Sequence, residues 1–142
     1  MEPPLALRIP RTLLNAAIAQ ALSALPNECC GLFAGTIASG EGRIEEHYPI
    51  RNDLASPKEY FTNPRDMLDA MRAMRASGTE VLAIYHSHPA SPPIPSKADI
   101  ARNSWGETAV HIIIGLALRE PDVRGWWIGE SDFREADLAI AG

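Results

Sequence analysis

The chain has 142 residues, 46% of them hydrophobic and 22% charged, with a formal net charge of −5. A chain of this length can build one domain, residues 1–142, around a core of its own, so any metal it binds is expected to serve function before stability. Its basic residues are scattered with no basic run, which argues against nucleic acid as the main partner. Its apolar runs are too short to cross a bilayer, so no membrane partner is expected.

The opening "MEPPLALRIP" lacks a basic stretch followed by a long apolar one and does not resemble a secretory signal, so a cytoplasmic address is expected. After the short apolar stretch "LALRI", residues 11–25 carry Leu13, Leu14, Ala17, Ile18, Ala21, Leu22 and Leu25 at the spacing of an amphipathic helix, which Pro26 stops. "CCGLFAGTI" reads as a buried strand, and "GRIEEHYPI" as a second strand behind the turn "SGEG". Cys29 and Cys30 are adjacent, so a disulfide between them would be strained and would close no loop; both are expected to be reduced core residues.

"NPRDMLDAMRAMRASG" predicts a helix capped by Asn63, begun by Pro64 and ended by Gly78, with Met67, Met71 and Met74 packing on one face. "EVLAIYHS" reads as a central strand that ends at histidines. After a proline-rich loop a helix is expected to start at Ser96 and to run toward Trp105. The strand candidates "AVHIIIGLAL", "VRGWWIGE" and "FREADLAI" come after it. Trp126 and Trp127, as strand neighbours, are expected to face opposite ways, one into the core and one outward. His47 and His111 stand singly and are read as satisfied or solvated. These elements predict an α/β fold, a mixed β-sheet flanked by helices.

The chemistry is concentrated in "YHSHPASPPIPSKAD". His86 and His88 are two apart on a strand and therefore share a face. Ser96 and Asp99 are three apart at a helix start and share its first turn. If the proline loop folds back, His86, His88 and Asp99 form a facial set of three donors with a fourth position open, the arrangement that suits a catalytic Zn²⁺. Water on such a metal has its pKa lowered from about 16 to about 7. A separate base is then needed, and the candidate is Glu28 in "PNECCGLFAG".

The spacing H-x-H-x7-S-x2-D, with Glu28, Gly31 and Leu32 matching an upstream E-x-x-G-x-hydrophobic pattern, resembles the JAMM (MPN+) metallopeptidase motif. The chain is most similar to the small bacterial Mov34/MPN/PAD-1 proteins, also through "RND", "SPKEYF", the two long helices and the later strand. The resemblance implies the MPN/JAB1, cytidine-deaminase-like fold. It also implies zinc held by His86, His88 and Asp99, Glu28 as general base and then acid, and Ser96 hydrogen-bonding the zinc water or the oxyanion. Its expected substrate is an amide bond at the Gly-Gly end of a ubiquitin-like or sulfur-carrier protein, with "SPKEYF" lining the groove. The rival reading is a zinc-stabilised, non-catalytic MPN scaffold or binding module. A RadC-type protein is disfavoured by the acidic balance, and a deaminase by the missing P-C-x-x-C.

Overall fold

The computed structural model describes residues 6–142. The first five residues of "MEPPLALRIP", including Leu5 of the apolar stretch, lie outside them. The elements in chain order are β1 (Ala6–Pro10), α1 (Arg11–Ala24), β2 (Cys30–Ala38), β3 (Glu41–Ile50), α2 (Pro64–Ser77), β4 (Glu80–His88), α3 (Lys97–Ala101), β5 (Val110–Gly115), β6 (Asp122–Ile128), β7 (Phe133–Ala136) and β8 (Leu138–Ala141). None of the described helices is long and apolar enough to cross a membrane.

The strands form one mixed sheet in the order β7-β6-β5-β4-β2-β3-β1-β8, parallel at β4/β5, β1/β3 and β1/β8 and antiparallel elsewhere. The expected strand "FREADLAI" is in fact two. β7 pairs with β6 at one end of the order and β8 with β1 at the other, with only Asp137 between them. Two residues of chain span about 7 Å at most, so the sheet curls until its edges meet. The Leu7 amide donates to the Asp137 carbonyl at 3.0 Å and helps hold that closure.

Helices cover both faces. On one, Leu14, Ala17 and Ala21 of α1 pack with Leu7, Ile9, Phe33, Tyr85, Ile112 and Trp127. Leu22 and Leu25, placed on the same stripe by their spacing, are 51% and 45% exposed; Ala21 and Ala24 take the inward places in the last turn of α1. On the opposite face Ala70 and Met74 of α2 pack with Cys30, Leu32 and Ile84. Met71 sits at the edge of that stripe and is 37% exposed; Ala70 takes the inward place instead. The expected caps of α2 are present: Asn63 accepts from the Asp66 amide, Pro64 opens the helix, and Gly78 closes it at φ 74°.

Both cysteines are free and buried, as their adjacency predicts. Burial pushes their thiols up, to about 11 for Cys29 and about 12 for Cys30, so neither is a ready nucleophile. Trp126 and Trp127 do face opposite ways, but both are buried. Trp126 is covered by the proline-rich loop and donates from Nε1 to the Pro93 carbonyl at 2.8 Å.

Candidate metal centre

β4 lies inside the sheet between β2 and β5, so its last residues sit at a fixed depth in the fold. His86 pairs in register with Ile113 and His88 with Gly115, while Tyr85 and Ser87 point to the opposite face. Gly115 is small for a reason: a Cβ there would lie 2.7 Å from Cδ of Pro93. The loop settles on that gap, and Pro93 and Pro95 are buried.

The loop thereby returns Ser96 and Asp99 to the histidines. Ser96 caps α3: its Oγ accepts from the Asp99 amide at 3.1 Å, and its own amide donates to Asp99 Oδ2 at 2.9 Å. α3 ends at Ala101, earlier than expected, and Trp105 lies beyond it. Asp99 Oδ2 stands 3.2 Å from His86 Nε2 and 3.1 Å from His88 Nε2, and the two nitrogens are 3.2 Å apart. This nearly equilateral triangle is close to the edge of about 3.3 Å expected between donors of a tetrahedral shell with bonds of about 2.0–2.1 Å.

Protonation sharpens the point. His88 Nδ1 lies 2.8 Å from the Pro92 carbonyl, which can only accept, so Nδ1 carries a proton. A neutral His88 therefore turns a bare lone pair at Nε2 toward the carboxylate and toward His86. Three electron-rich atoms this close repel one another unless a proton or a cation lies among them. Burial works to lower the proton affinity of His88, but its bonds to Asp99 and Pro92 outweigh that and raise it. Burial likewise favours a neutral Asp99, yet the histidines and the Ser96 amide hold the carboxyl well below its usual range. The donor set fits zinc, with a backbone carbonyl fixing the tautomer of one imidazole.

Glu28 precedes β2 and is 5% exposed, its Oε1 buried and without a hydrogen-bond partner. Burial pushes its carboxyl up to about 8; His88 opposes the shift and Asp99 and Glu59 add to it. Glu28, His88 and Ser96 line one groove of about 950 Å³. Gly31, three residues on, has the Tyr85 ring where a side chain would stand, so that an added Cβ would overlap the ring.

Three residues that hold this arrangement were given no individual role by the sequence. Ser87, between the histidines but on the opposite face, accepts the Cys29 amide at Oγ (2.8 Å), and its own amide donates to the Cys29 carbonyl (3.1 Å), tying the segment after Glu28 to β4. Asn52 donates to the carbonyls of Glu28 and Glu59 and accepts from the amides of Leu54 and Phe61, so one side chain closes the 52–61 loop over the site. Tyr60 stacks on His86 with ring centroids 4.6 Å apart. Asn52 lies in "RND" and Tyr60 in "SPKEYF", stretches that carried the resemblance without giving either residue this role. His47 and His111 stay outside the donor set, bonded to Tyr85 and Asn103 respectively.

Ser87→Ala leaves the buried Cys29 amide without its acceptor and is expected to cost about 1–3 kcal/mol of stability. Because the amide belongs to the residue after Glu28 and not to one of the three donors, metal binding at His86, His88 and Asp99 is expected to persist. Denaturant titration and metal analysis on the same preparation check this; an unchanged denaturation midpoint would show that the bond contributes nothing.

A curled mixed sheet with two histidines and an aspartate converging at a strand end, and a dry carboxyl on the same groove, defines an α/β protein with a three-donor candidate metal centre. Residues 10–129 match the family of prokaryotic homologs of the JAB domain. The chain belongs to that family, a branch of the JAMM/MPN proteins. It is 38% identical over 102 residues to the "Probable TtuB-protein conjugate cleaving protease" of Thermus thermophilus, covering 71% of this chain and 66% of that protein. It is 37% identical over 109 residues to the "CysO-cysteine peptidase" of Mycobacterium tuberculosis, covering 77% and 71%. The solution structure of a Desulfitobacterium hafniense protein superposes with a TM-score of 0.87 at 30% identity, covering 95% of this chain and 92% of that one.

Proposed function

We propose that the chain is a zinc-dependent peptidase that hydrolyses an amide bond at the C-terminal Gly-Gly tail of a ubiquitin-like or sulfur-carrier protein. It acts as a single JAMM/MPN domain, residues 1–142, in the cytoplasm. The observation that carries the reading is the pairing of a closed donor triangle with a buried, unpartnered Glu28 on the same groove. A scaffold would gain nothing from a carboxyl held dry at that place. The names of the two relatives, a conjugate-cleaving protease and a peptidase, point the same way.

His86 Nε2, His88 Nε2 and Asp99 Oδ2 would hold the zinc. Bound there, zinc supplies Lewis acidity to the scissile carbonyl and makes a water acidic near neutral pH. The chain's own groups do the rest. Glu28 takes the proton of the attacking water and delivers it to the departing amine, and its dry setting suits a carboxyl that must hold a proton between the two steps. Ser96 Oγ already accepts the Asp99 amide, so its hydroxyl hydrogen is free to donate to the developing oxyanion.

Beside Asp99 a second cavity, of about 550 Å³, is lined by Leu54, Tyr60, Phe61, Ile84 and Trp105. It takes the extended tail, whose glycines let the backbone approach the donors without a side chain between. Lys58, Glu59, Tyr60 and Phe61 of "SPKEYF" border this cavity, and Ser56 to Glu59 border the larger groove. The test is metal analysis together with cleavage of a carrier ending in Gly-Gly and extended at its C-terminus. Stoichiometric zinc, loss of cleavage on chelation and its return on adding Zn²⁺ are expected. Zinc-loaded protein that cleaves no such substrate would overturn the reading in favour of a scaffold.

A further inference from the structure

The two imidazoles of the donor triangle are held in different ways. His88 is fixed by a directional bond, from Nδ1 to the Pro92 carbonyl at 2.8 Å. His86 has none: its Nδ1 is buried and meets no hydrogen-bond partner among the described residues. The neighbours in register explain this. Cys30 of β2 brings a thiol that is turned to the Ile50 carbonyl, 3.4 Å from Sγ, and Ile113 of β5 brings only carbon. Metal-binding histidines almost always use the second ring nitrogen to set the plane of the ring, and the torsion that turns an imidazole is otherwise broad. Another contact must therefore set the plane of His86.

That contact is the Tyr60 ring. It lies over His86 with centroids 4.6 Å apart and 24° between the planes, a stacked pair, whereas His88 meets His86 edge-on at 60°. Tyr60 is half-buried on the loop that Asn52 closes, and Glu59 before it pairs at 3.3 Å with Arg102, the C-cap of α3. The ring is thereby tied to the helix that carries Asp99. Burial pushes the Tyr60 phenol well above its ordinary value, so the side chain brings no anionic oxygen and acts through its ring. The face of an aromatic ring is electron-rich and attracts an imidazole that takes on positive charge.

We propose that Tyr60 is a positioning residue of the metal centre: its ring replaces the hydrogen bond that His86 lacks, keeps Nε2 on the donor triangle, and favours the cation-bound imidazole over the free one. The inference rests on the reading of His86, His88 and Asp99 as zinc donors. A side chain that only fills space at this place would support the fold equally with and without metal. A positioning ring acts on the metal-bound state.

The test compares the wild type with Tyr60→Leu and Tyr60→Phe in three measurements: zinc affinity by chelator competition, the visible spectrum of the Co²⁺-substituted protein, and denaturant titration of the metal-free chain. Tyr60→Leu is expected to weaken zinc about tenfold, the scale of a lost supporting contact or of a desolvated cation–aromatic pair, and to alter the Co²⁺ spectrum. Tyr60→Phe keeps the ring without the hydroxyl and should match the wild type in both. Tyr60→Met gives the same comparison where Tyr60→Leu does not fold. A ring-less variant that loses metal-free stability yet keeps the wild-type zinc affinity and spectrum would make Tyr60 a packing residue and overturn the inference. Tyr60→Phe as weak as Tyr60→Leu would overturn it too, by placing the effect in the hydroxyl. A wild type that takes up neither Zn²⁺ nor Co²⁺ overturns the donor reading itself, and the role of Tyr60 with it.

Discussion

Glu28→Gln is expected to keep zinc, to lose turnover by a factor of about 10²–10⁴, and to make the metal-free fold more stable at alkaline pH. The last effect follows from linkage. Glu28 has its carboxyl pushed up to about 8 in the fold, from an ordinary value of 4.5. Between those values the folded chain holds a proton that the unfolded chain has released, so stability falls as pH rises from 4.5 toward 8 and is level beyond. Glutamine has no such proton. With chelator present, its advantage should be absent near pH 4 and reach on the order of 4 kcal/mol above pH 8. Denaturant titrations at pH 4.5 and 8.5 check the sign. A wild-type and variant that differ equally at both pH values would show that the Glu28 carboxyl titrates alike in the folded and the unfolded chain. On the proposed mechanism, this is stability given up for chemistry at one buried carboxyl.

Asp99→Asn is expected to do the reverse, leaving the fold and removing the metal. The asparagine oxygen can still accept the Ser96 amide, so the cap of α3 and the return of the proline loop should persist. What disappears is the anionic donor between two imidazoles, and zinc affinity should fall well beyond the 10–100-fold that loss of a supporting hydrogen bond costs. Ligand at 1,000 times its Kd stabilises a fold by about 4 kcal/mol, so added Zn²⁺ should raise the melting temperature of the wild type and not of the variant. Turnover should vanish with the metal. Retained stoichiometric zinc in Asp99→Asn would show that the triangle of donors is not the binding site.

Comparison of the sequence with the fold shows what local pattern can and cannot carry. The α2 caps, the termination of α1 and the shared face of His86 and His88 were legible, because each depends on residues within a turn or on strand alternation. The Met67, Met71 and Met74 stripe was half right: spacing gives a direction on the helix, while the neighbour decides how wide a band is covered. Burial of both tryptophans was not legible, since alternation names the face of Trp126 but not the loop that lies over it. Likewise "FREADLAI" alternates as a single strand would. Nothing local says that Asp137 passes the chain from β6 to β1.

The sequence by itself determined the chemistry of the donors and the two short-range geometries, histidine beside histidine and serine beside aspartate, because those follow from strand and helix repeats. Only the tertiary structure brought the parts together. The β2–β4 register set Cys30 opposite His86 and so carried Glu28 to the groove. The seat of Pro93 on Gly115 returned Asp99, and Asn52 closed the loop above. Each is a contact between residues far apart in the chain, won by packing and pairing across the fold, and no local periodicity encodes it.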